Sequence, residues 1–157
     1  LVQHGAVWCR QGRAAALLFR GNIVFTELNH GFINPEADRY GARAAAAVAD
    51  HDFWVDAAKG KGYYSGLAAF NEYMNWALVS LRLVDLGPQD ELAGMIERID
   101  QMMVASRGFR RFREFDAFLV DLYRRRKPGT TVADLYPPIL DWFEQQPRVV
   151  PADTPRG

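Results

Sequence analysis

The order of apolar and polar positions is helical along most of the chain. From about residue 22 onward, apolar residues recur at separations of three and four, which aligns them on one side of a helix of about 3.6 residues per turn. Residues 6 to 9 and 14 to 19 are exceptions. Each run is short enough to be a strand or the lead-in to a helix, and periodicity does not choose between them. Asn34, Pro35 and Glu36 have the grammar of a helix start: a capping side chain, a proline at the first helical position and an acid in the first turn. That predicts a helix over 35–50, filled with alanines of high propensity. The glycines and lysines of 58–62 break the pattern. A long helix follows over 63–85, with Leu67, Phe70, Met74, Ala77, Leu78 and Leu81 on one face. Trp76 and Val79 carry apolar character toward the other side, so this helix is expected to be central and buried.

Gly87 and Pro88 separate it from a helix over 89–106 that turns Met95, Ile96, Ile99, Met102 and Met103 inward. The methionines read as core packing, not as a cofactor box. Gly108 and the Pro128–Gly129 pair bracket another helix over 109–126. Thr131 and Asp134 resemble a capping box for a last helical stretch, interrupted at Pro137 and Pro138. The expected architecture is mainly α: a single helical domain over 1–146, with little or no β-structure at its N-terminus, and a flexible tail over 147–157.

Composition narrows the function classes. The chain has 157 residues, 49% hydrophobic and 13% aromatic, enough for one domain with a real core. Nineteen basic and nineteen acidic residues cancel, so no overall field draws it to nucleic acid or to an anionic membrane. The basic run of Arg107, Arg110, Arg111, Arg113 and 124–127 is interrupted by Glu114, Asp116 and Asp121, and reads as a solvated helix face. The single cysteine, Cys9, excludes an intrachain disulfide and reads as a small core filler beside Trp8. No apolar run approaches the roughly 20 residues of a membrane span. The chain begins at Leu1 rather than methionine, as a piece of a longer chain would, and any export leader would then lie upstream.

Candidate chemistry starts at Thr26, Glu27 and His30. On a helix they occupy neighbouring positions of one surface. Their spacing is that of H-E-x-x-H with threonine in place of the first histidine; in that motif two histidines clasp zinc while the glutamate activates the bound water. Glu72 lies inside the helix expected to be buried, and a buried carboxylate needs a cation or donors. His30, Asn75 or a metal could supply them. Ferritin-like di-iron bundles also use Glu-x-x-His, but they need two such pairs. Only Glu27 has a histidine at that spacing.

The stretch "TELNHGFINPEADRY" together with "FNEYMNWAL" resembles a group of bacterial proteins similar to glutamate-ligand zinc metallopeptidases, the gluzincins, whose H-E-x-x-H is closely followed by an Asn-Pro pair. The resemblance covers residues 20–85. It implies a zincin-like helical domain with Glu27 as general base and His30 and Glu72 as zinc ligands. The implied activity is hydrolysis of a peptide or protein substrate by metal-activated water. Tyr40, Tyr63, Tyr64 and Tyr73 are candidates for stabilising the oxyanion.

Thr26 leaves three arrangements open. Zinc could be held by His30, Glu72 and a further residue such as His51 or His4. A carboxylate-rich set of Glu27, His30 and Glu72 would also suit manganese or ferrous iron. Or the site is metal-free and hydrogen-bonded, and the domain is a catalytically inactive binding module.

Overall fold

The computed structural model describes residues 16–146 other than 19 and 64. The expected tail over 147–157, the short run over 6–9, His4, Cys9 and Tyr64 lie outside the described residues. Those that are described fold as helices; their one β feature is an isolated antiparallel bridge between Val55 and Phe109. The mainly α expectation holds. Residues 16–18, within a run that could have been a strand, are helical.

The helices are α1 (Asn22–Arg39), α2 (Gly41–Ala47), α3 (His51–Trp54), α4 (Gly66–Leu86), α5 (Leu92–Gln101), α6 (Phe112–Arg124) and α7 (Tyr136–Glu144). A π-helical turn, Met102–Ser106, extends α5, and a 3-10 turn, Ala133–Leu135, leads into α7. Ser65 caps α4, its hydroxyl accepting from the Ala68 amide at 3.1 Å, so the helix starts slightly later than the apolar spacing alone suggests. Every residue from Phe70 to Leu81 except Asn71 is buried, because α1, α2, α5 and α6 all pack against α4. Aromatic rings converge on Tyr73, with Phe109, Phe112, Phe115 and Phe143 each within 6.0 Å centroid to centroid.

Two expected boundaries are corrected. Asn34–Pro35 does not start a helix: α1 runs through Pro35 to Arg39. Ile33 and Ala37 are both buried, so packing on either side of the proline holds the helix across the backbone bond that proline cannot donate. The chain breaks instead at Tyr40, which stacks on Tyr136 at 5.8 Å. Pro137 and Pro138 do not interrupt the last helix. They sit in the first turn of α7, where their missing amide hydrogens would have had no helical partner. The Thr131–Asp134 pair does close a reciprocal turn: Asp134 accepts from the Thr131 amide at 2.8 Å and hydroxyl at 2.7 Å.

α1 is polar toward the core and apolar toward solvent. Asn22, Thr26 and Asn29 are buried with Ile33 and Ala37, while Ile23, Val24, Leu28 and Phe32 are exposed. Its outer face is therefore an apolar surface patch.

Candidate functional site

α1 and α4 run antiparallel: Asn22 reaches Arg82, and His30 reaches Asn75. This brings the imidazole and the α4 carboxylate together. His30 Nε2 lies 3.9 Å from Glu72 Oε2 and 3.0 Å from Asn75 Nδ2. With the Asn75 amide donating, Nε2 is the acceptor and its lone pair is in use.

Glu72 is 5% exposed, and its partners come from elsewhere than the motif. Arg107 Nη2 is 2.6 Å from Oε1. The Trp76 indole donates to the same oxygen at 2.8 Å and the Tyr63 hydroxyl at 3.0 Å. Arg107 also donates to the Tyr63 oxygen, and its guanidinium lies over the Trp76 and Tyr63 rings at 5.1 and 5.5 Å. Burial, and then the Glu72 charge, push the Tyr63 phenol above its ordinary range, which keeps it a neutral donor. One cation and two neutral donors thus satisfy one buried carboxylate oxygen.

The loop on each side of the cluster is built to bring Arg107 and Tyr63 together. The π-helical turn ends with the Arg107 amide bonded to the Met102 carbonyl at 3.1 Å. Gly108 follows with φ of 80°, a conformation that favours glycine, and a Cβ there would lie 2.8 Å from Lys59 Cβ and 2.9 Å from Asp56 Cβ. Its carbonyl accepts from the Asp56 amide at 2.8 Å. The 56–62 turn is thereby pinned to the π-turn, and Tyr63 leaves it facing Arg107.

The other expected residues are placed differently. Thr26 is buried, and its hydroxyl donates to the Ile23 carbonyl at 2.8 Å, spending its proton within α1. Glu27 is exposed. At about 100° per residue it sits some 60° from His30, on the side away from the buried face of α1. Among the described residues Glu27 makes no ion pair or hydrogen bond to the cluster. His51 contacts the Tyr63 carbonyl through Nε2, which ties the loop rather than completing a ligand set. Tyr73 donates to the Trp54 carbonyl at 2.8 Å within the core, and Tyr40 is stacked on Tyr136; of the tyrosines considered and described, Tyr63 alone joins the cluster.

In this arrangement the described residues of the cluster offer no free set of three zinc ligands. Catalytic zinc takes about three protein ligands. Here the His30 Nε2 lone pair already accepts from Asn75, Oε1 of Glu72 is saturated by three donors, and one of these, Arg107, already supplies a positive charge to the carboxylate. Among the described residues no group of three or more His, Cys, Asp or Glu is placed to hold a metal ion.

No protein family, curated protein or solved structure was found to match this chain.

Arg107 is the residue that sequence reasoning missed. The composition of its run predicts a solvated helix face, whereas Arg107 turns inward to Glu72 at the end of a π-turn. The available signal was its position directly before Gly108, because a glycine with positive φ ends a helix and redirects the preceding side chain.

Proposed function

We propose that the chain is a helical binding domain that does not hydrolyse its ligand, built on a metallopeptidase-like arrangement in which a guanidinium neutralises the buried glutamate. The observation that carries this reading is the 2.6 Å contact between Arg107 Nη2 and Glu72 Oε1. Arg107 supplies the positive charge that zinc supplies in the gluzincins, but it offers neither an acidic water nor an open coordination position. Glu27, the expected general base, is exposed and lies apart from the cluster.

A metal-dependent peptidase is the second reading, and the 3.9 Å approach of His30 to Glu72 favours it. It requires Arg107 to withdraw and a third ligand to arrive. Peptide hydrolysis with and without chelator separates the two: the binding reading expects no chelator-sensitive cleavage, and turnover abolished by chelator would overturn it. Zinc affinity gives a second measure. Thr26→His combined with Arg107→Ala restores the ligand and removes the competing cation, so it should bind zinc more tightly than either single variant. No gain would argue that these positions do not converge on one ion.

A further inference from the structure

A cavity of about 550 Å³ lies between α1, the C-terminal half of α4, Tyr123 of α6 and the 131–136 segment. That volume is within the range of small-molecule sites, about 300 to 1,000 Å³. Its walls are mostly apolar, from Phe25, Phe32, Ile33, Leu78 and Leu81. Phe32 and Leu86 line it and are 77% and 64% exposed, so it opens to solvent beside them. It occupies the flank of α1 that carries Phe25, Asn29, Phe32 and Glu36, whereas His30 lies on the other flank.

Two groups in the wall lack what they would ordinarily bind. Asn29 is 8% exposed, and its amide nitrogen has no hydrogen-bond partner among the described residues. A buried donor left unpaired is destabilising, so a ligand oxygen that met it would recover a lost hydrogen bond. Arg82 is half-buried over the Phe25 ring at 5.0 Å, and its bonds are long ones to neutral oxygens: Asn22 Oδ1 at 3.2 Å and the Leu18 carbonyl at 3.4 Å. No carboxylate among the described residues pairs with it. The two acids in the wall are engaged elsewhere: Glu36 with Arg39 at 3.1 Å, and Asp85 with the Tyr123 hydroxyl at 2.5 Å.

We propose that this cavity binds a small monocarboxylate with an apolar body, the body filling the pocket and the carboxylate meeting Arg82 and the Asn29 amide. An oxygen anion supplies what both side chains lack, and the apolar walls select what is attached to it. This rests on the reading of the chain as a binding domain, but on residues that the metal question does not touch.

Calorimetric titration of the full chain with decanoate, and with decan-1-ol as an uncharged chain of the same length, tests it. Saturable binding of one decanoate is expected. Arg82→Gln should weaken decanoate by about tenfold or more, the effect of losing one charged hydrogen bond, while changing decan-1-ol little. Ala133→Phe, which fills the cavity from the loop side, should weaken both ligands with the melting temperature retained. The proposal is overturned if the wild type binds neither ligand saturably, if Arg82→Gln leaves decanoate unchanged, or if Ala133→Phe leaves both unchanged. Decanoate binding by a protein that also proves to be a zinc peptidase would keep this site and remove only the non-hydrolytic reading.

Discussion

Removing the guanidinium of Arg107 would leave the Glu72 carboxylate buried among neutral donors alone. Arg107→Ala should therefore destabilise the fold by about 3 kcal/mol, the cost typical of breaking a buried pair from one side. Glu72→Gln with Arg107→Met should recover much of that loss in urea denaturation, and an Arg107→Ala variant as stable as wild type would contradict the pairing. A second buried acid behaves differently. Asp116 is fully buried on α6, accepts from the Ser80 hydroxyl at 2.7 Å and faces Asp100. Burial pushes the Asp116 carboxyl well above its ordinary value and Asp100 up to about 6. Both acids hold protons more tightly folded than unfolded, so their contribution is complete below about pH 4 and is lost as pH rises through about 6 and beyond. Replacing both by Asn should flatten this part of the stability profile; an unchanged slope would place its source elsewhere. The need of Glu72 for a partner was legible in the sequence. Which partner was not, because the glycine after Arg107 marks a helix end without saying that the side chain before it turns toward Glu72.

Helix boundaries show where local grammar yields to packing. Pro35 lies inside α1 with an exposed side chain, so Pro35→Ala restores a backbone bond without disturbing the core. It should stabilise the protein by about 1–3 kcal/mol, visible as a higher melting temperature. A loss of stability would mean that the helix does not continue through residue 35. Gly108 has the opposite sensitivity. Its φ of 80° and the close approach of Lys59 and Asp56 leave no room for a side chain. Gly108→Ala should cost about 2 kcal/mol or more and loosen the Arg107–Glu72 contact with it. The long central helix was readable because its apolar residues surround it. The π-turn was not, since Met102 to Ser106 continue the composition of α5 and only the geometry widens.

The molecule as a whole is organised around α4, with the charged cluster and the apolar cavity on opposite flanks of α1. The inverted polarity of α1 is the feature least expected from sequence: the apolar Val24, Leu28 and Phe32 lie outside, while the polar Asn22, Thr26 and Asn29 lie inside. Apolar spacing identifies a helix without saying which of two candidate faces its neighbours will cover. Val24→Gln and Leu28→Gln should each change stability by less than about 0.5 kcal/mol, as substitutions at solvent-facing positions do, and a much larger loss would show that this face is covered in the native state. The sequence also brought His30 and Glu72 into one proposal from two distant segments, and they do meet. What it could not supply was the arginine that pairs with Glu72. The zinc content of wild-type protein purified without chelator therefore tests the account most directly. Zinc well below one ion per chain is the expected result. A full equivalent that disappears in both His30→Ala and Glu72→Ala would contradict the claim that Arg107 holds the carboxylate in place of a metal.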